Sequence, residues 1–226
     1  MIAVSGWVNE FLNSYPMVSA EVESTSRVLD LVYEGFDLAI RVGKLEESRL
    51  AARPLGTIDY GLFACPRYVA RQGMPESVEA LKHHALIMFT GGSHWSGWHL
   101  SRDAEKVKIE AAAKLRVNNS FAVRDALLRS LGVGQLPLMV ASDSVKSGRL
   151  VQVLPDWASS PVPVHAVFPG NRYLTPKVRA FVDLAVARFP SAGEFSDWRA
   201  DPRRCHIDGK IGSANRAERD KNLTSP

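Results

Sequence analysis

Residues 18–43, VSAEVESTSRVLDLVYEGFDLAIRVG, decide how the chain is read. Val18, Ala20 and Val22 alternate with Ser19, Glu21 and Glu23, the period-2 pattern of a strand with one wetter face. Ser24, Thr25 and Ser26 then stand where a helix begins, and hydroxyls can cap the backbone N–H groups that a helix start leaves unpaired. Val28, Leu29, Leu31, Val32 and Phe36 follow at helical spacing, with Gly35 as the stop. Leu38, Ala39, Ile40 and Val42 form a second strand ended by Gly43. Strand, crossover helix and strand make a βαβ unit, which predicts a buried parallel sheet. Ligands of such sheets sit beyond the carboxyl ends of the strands, here at Ser24–Thr25–Ser26.

The rest of the chain is consistent with a globular α/β protein. It has 226 residues, 46% of them hydrophobic and 23% charged, room for one large domain or two small ones. No apolar run is long enough to span a membrane, and the start, MIAVSGWVNEF, lacks a secretory leader, so a cytoplasmic location is expected. Cys65 and Cys205 are expected as free thiols. The formal charge of +4 is too mild to indicate nucleic-acid binding.

Upstream of the deciding stretch, Gly6 to Tyr15 reads as a helix with Trp7, Val8, Phe11 and Leu12 on one face and Pro16 as its stop. Downstream, Leu50–Leu55 reads as a short extended piece interrupted by Pro54. Tyr60–Ala64 reads as an apolar strand broken by Cys65–Pro66, and Arg67–Gln72 as a short helix closed by Gly73. Ser77–Lys82 repeats that pattern, and Leu86–Phe89 is another strand. Residues 90–117 carry glycines, two tryptophans and alternating charge, which predicts hairpin strands around Lys106–Ile109 and Lys114–Val117. A second polar cluster, Asn118–Asn119–Ser120, precedes a helix from Ala122 to Leu131 that Gly132 should end. A strand at Val133–Pro137, a helix from about Leu138 to Lys146, strands at Leu150–Leu154 and Val162–Phe168, and a helix opened by Pro176 complete the pattern. Residues 191–226 are polar and aperiodic and read as a disordered tail.

Several of these phrases together resemble the effector-binding region of LysR-type transcriptional regulators, a bacterial family. They are RVLDLVYEGFDLAIRVGKLEESRLAARPLG, LFACPRYVARQGMPESVEALKHHALI, NNSFAVRDALLRSLGVGQLP, SGRLVQVLPDW and VFPGNRYLTPKVRAFVDLAVARF. Their order and spacing match over roughly Gly6 to Phe189. The resemblance implies a type 2 periplasmic-binding-protein-like α/β fold, with two Rossmann-like lobes joined by two crossing segments. Lobe I would hold residues 1–64 plus 162–190 and lobe II residues 65–161, with crossings near Phe63–Ala64–Cys65 and Pro161–Val162. It also implies a first strand and Ser/Thr loop before Trp7, where only Met1 to Ser5 stand, so lobe I is expected to lack a central strand and to leave strand edges unpaired. The family's winged helix-turn-helix is not found in these residues.

In that fold Ser24, Thr25 and Ser26 would face Asn118, Asn119 and Ser120 across a cleft, and an effector would be held between the two helix starts. Each cluster has a plainer reading as a helix cap. Cys65 and Gln135 would border the same cleft. Phe121 is expected in the core.

Other motifs point nowhere further. Adjacent His83 and His84 cannot share a helix face, which argues against a metal pair. His94-Trp95-Ser96-Gly97-Trp98-His99 lacks a completing Cys or carboxylate and reads as hairpin packing. Gly91-Gly92-Ser93-His94-Trp95 lacks the final glycine of a nucleophile elbow. Gly132-Val133-Gly134 lacks the third glycine of a dinucleotide fingerprint. Trp157 reads as a packed anchor, and Arg199, Arg203 and Arg204 as solvated charges. No catalytic residue, metal or cofactor is expected.

The implied function is sensing of a small molecule, a carboxylate or aromatic acid, by a regulatory domain. The implied partner is a second copy, or an intact relative in a heterodimer, with DNA met only through a winged helix-turn-helix not present here. A stand-alone cytosolic binding protein or a non-functional truncated paralogue is the alternative, and an enzyme on this fold is the least supported reading.

Overall fold

The computed structural model describes residues 2–27, 29–45, 50–91, 97–110, 112–170, 174–190 and 194–195, with side chains from Val4 onward. Val28, His94, Trp95 and the expected disordered tail beyond Phe195 lie outside the described residues.

The chain opens with α1 (Ile2–Ser14). Trp7 and Phe11, one helical turn apart, are each 5% exposed. They pack on α5 (Pro176–Arg188), where Phe11 meets Phe181 edge-on at 5.4 Å. The bidentate pair of Arg188 with Glu10, at 2.7 and 3.0 Å, closes this helix contact at the surface.

The stretch that organises the sequence reading folds differently from its pattern. Residues 18–25 form no strand, and no helix covers 29–36. An extended segment becomes a strand only by pairing, and residues 18–25 join no ladder. In place of the helix, Asp30 Oδ1 accepts hydrogen bonds from the Val32 and Tyr33 amides at 3.0 and 3.2 Å. Such a side-chain acceptor offers the backbone a turn instead of a helix. Phe36 N then bonds Leu31 O at 3.0 Å and Gly35 takes φ +77°, closing a single turn. Of the expected apolar face, Leu31 is buried at 2% exposure while Val32 is 65% exposed, and the neighbouring Tyr33 is 87% exposed.

The second expected strand forms, as β1 (Ala39–Val42). It pairs antiparallel with β11 (Val162–Pro169), which in turn pairs antiparallel with β2 (Leu50–Ile58). The sheet order is β1-β11-β2, so the parallel βαβ sheet read from the sequence is corrected to an antiparallel one of three strands. Without a crossover helix, nothing imposes parallel pairing. Pro54 does not interrupt β2. The proline has no N–H to give, but β2 is an edge strand and the register shifts between Val164 and His165, opposite Pro54.

The chain leaves this sheet at Ile58 and enters a second one at Tyr60, with only Asp59 between them. The second sheet has five strands, in the order β7-β4-β8-β3-β9. These are β3 (Tyr60–Ala64), β4 (Leu86–Phe89), β7 (Ala113–Val117), β8 (Val133–Pro137) and β9 (Val151–Val153). Parallel pairing occurs here, between β4 and β7 and between β4 and β8. β3 and β8 are buried at every position, because α2 (Pro66–Gln72), α3 (Ser120–Leu128) and α4 (Leu138–Lys146) cover the sheet. A short 3-10 turn at Glu79–His83 realises the second capping pattern, with the Ser77 hydroxyl accepting from Ala80 N at 3.3 Å.

The expected hairpin is half correct. β5 (Trp98–Arg102) and β6 (Glu105–Ile109) pair antiparallel, joined by β10 (Ala158–Ser159) into a small separate sheet. The alternating segment at 114–117 instead lies parallel to β4. Trp157 is buried at 4%, the anchor it was expected to be, and Arg102 stacks 4.7 Å over its ring. Two buried clusters result. One joins α1, α5 and the first sheet, and a larger one fills the second unit.

Candidate functional site

Asn118 and Asn119 stand at the turn between β7 and α3 and take separate roles. Asn119 is the cap of α3. Its φ of −132° and ψ of 121° are non-helical, and Oδ1 accepts from Phe121 N at 2.8 Å and Ala122 N at 3.4 Å. Asn118, with no capping duty, points its amide away from the helix. Its Nδ2 donates to Ser26 Oγ at 3.2 Å. The two polar clusters of the sequence therefore touch, one carried on the five-stranded unit and the other on the segment leading to β1.

The first cluster is held without a helix. Thr25 Oγ1 accepts from Arg27 N at 3.2 Å, a hydroxyl turn that fixes the backbone beside Ser26. Ser24, Thr25 and Ser26 are all exposed, as are Asn118 and Asn119, while Ser120 is half-buried. The expected arrangement of two helix N-termini is corrected to one, that of α3, because residues 29–36 form a turn and no helix. Among the described residues, the helix-start field at the site comes from α3.

Cys65 and Gln135 are not brought to this contact. Cys65 is 4% exposed, at the start of α2, with Sγ 3.0 Å from Ser130 Oγ. Ser130 Oγ also accepts from Arg67 Nε at 2.8 Å, and Ser130 O accepts from Arg71 Nη2 at 3.1 Å. Ser130 is the residue that sequence reading missed. It takes φ +62° and ends α3, where Gly132 was expected to do so. No sequence signal marks a serine for that conformation, since glycine or asparagine is the usual occupant. Gly132 serves another need. A Cβ there would collide with Ala85 O, the acceptor of the Val133 amide.

Gln135 is 3% exposed on β8, and its Nε2 donates to Ser159 Oγ, tying the large sheet to the small one. Its Oε1 is buried without a hydrogen-bond partner among the described residues. His84 Nδ1 lies 3.2 Å from Tyr68 Oη, which accepts the Ala85 amide at 3.0 Å. No group of three or more His, Cys, Asp or Glu side chains among the described residues could hold a metal ion. A separate hollow, lined by Thr57, Asp59, Leu138, Met139, Glu194 and Phe195 among others, includes none of the expected contact residues.

The arrangement is thus a polar contact between two units, able to accept and donate hydrogen bonds at one helix start.

Comparison with known proteins gives the same outline. The LysR substrate binding domain family matches residues 3–190. The HTH-type transcriptional regulator YhjC of Escherichia coli K12 is 33% identical over 177 residues, covering 77% of this chain and 59% of its own length. Among solved structures, the full-length Vibrio cholerae virulence activator AphB, a member of the LTTR family, superposes with a TM-score of 0.72 at 27% identity. It covers 82% of this chain and 63% of AphB. The CrgA regulatory domain of Neisseria meningitidis superposes with a TM-score of 0.74 at 24% identity, covering 83% of this chain and 92% of that domain, a likeness of fold. The chain spans about three fifths of the length of the curated relatives it matches.

Proposed function

The chain belongs to the LysR substrate-binding domain family, and from that premise we propose that it senses a small-molecule effector in the cleft between its two lobes to control transcription. The observation that carries this reading is the Asn118–Ser26 hydrogen bond. It joins exposed polar groups of the two units, which supports an effector site between them. An effector that replaces this bond with its own acceptors would favour one lobe arrangement over another, and only such differential affinity shifts a conformational equilibrium.

The proposed contacts are Ser24, Thr25, Ser26, Asn118, Asn119 and Ser120. Hydroxyl and amide donors beside the α3 start suit a small carboxylate or aromatic acid. We assign the lobes to the two sheets, with the first crossing at Asp59 instead of near Phe63–Ala64–Cys65, because Tyr60–Ala64 pairs with β8 and β9, and the second between Ser159 and Val162. The proposed setting is cytoplasmic, as a homodimer or paired with an intact relative. DNA contact is assigned to a winged helix-turn-helix outside these residues. No helix among the described residues is long and apolar enough to cross a membrane.

A thermal-shift screen of small carboxylates, with Ser26→Ala and Asn118→Ala beside the parent, tests the reading. An acid that raises Tm in the parent and does so less in both variants supports it. An acid whose shift survives both changes places its site elsewhere. An electrophoretic shift with the purified chain tests the assignment of DNA reading, and tight sequence-specific retardation by residues 1–226 alone would refute it.

A further inference from the structure

We draw no further inference here: the strongest candidate, the outer edge of β1 in the three-stranded sheet, which pairs with β11 alone among the described residues and ends at the exposed Val42, carries nothing because nothing in the structure shows what covers it.

Discussion

Asn118 donates its side-chain amide to Ser26 Oγ at 3.2 Å, across 92 positions of sequence. One residue further on, Asn119 spends its side chain on its own helix. Adjacent asparagines thus divide the work, one building the second unit and the other reaching the first.

That division separates the effects of two substitutions. Asn119→Ala removes the α3 cap and is expected to cost about 1 kcal/mol of unfolding free energy, read from the urea midpoint. Asn119→Asp keeps the acceptor and should hold the midpoint near the parent value. Asn118→Ala loses an exposed hydrogen bond, and its expected cost is below about 1 kcal/mol. Equal losses at the two positions would contradict the assignment.

Gly132→Ala should be among the most damaging single changes in the second unit. The new methyl would drive into Ala85 O, beside the parallel pairing of β4 and β8, and overpacking against backbone costs typically 1–3 kcal/mol or more. Gly6→Ala offers the contrast. That position is inside α1 with open space around it, and alanine should stabilise by roughly 0.5–1 kcal/mol. Thermal denaturation of both variants reads the opposite signs.

The His84 imidazole has its proton affinity pushed below the ordinary 6.5, first by burial and then by the neighbouring His83 charge. Tyr68 Oη, which accepts the Ala85 amide, lies 3.2 Å from His84 Nδ1. The folded state therefore holds its proton less tightly than the unfolded chain does. Stability from this group is fully present above the unfolded value and is lost as pH falls toward the lower folded one. The expected outcome is a Tm that declines below about pH 6.5, with a shallower decline in His84→Gln. An unchanged slope in that variant assigns the decline to other groups.

Filling the exposed turn tests why the organising stretch failed to coil. Asp30 accepts two turn amides, so Asp30→Ala should release them and destabilise by about 0.5–1.5 kcal/mol. If the change instead raises helix content by circular dichroism, Asp30 is what suppresses the helix. An unchanged spectrum assigns the turn to the lack of a partner for Val32 and Tyr33.

The legible parts of this protein are those whose signals are local. Trp7 and Phe11, one turn apart, gave α1, and the Pro176 start with Val178, Phe181, Val182 and Ala185 gave α5. The unbroken apolar run Tyr60–Ala64 gave a fully buried strand. The family was legible because several phrases keep their order over residues 6–189, and the polar contact was half legible, since both clusters were named from their helix-start chemistry. Strand direction was not legible. Residues 18–22 carry a strand pattern without a strand, and 29–36 a helical pattern without a helix, because both elements need a neighbour and none is supplied there.

By itself the sequence determined the apolar faces of α1 and α5 and the polar start of α3, since side-chain spacing and backbone preference are properties of adjacent residues. The tertiary structure alone decided that Asn118 rather than Asn119 meets Ser26, that Ser130 ends α3, and that β1 runs antiparallel to β11. Those outcomes depend on which distant backbone happens to lie within hydrogen-bond reach, a quantity that no local pattern contains.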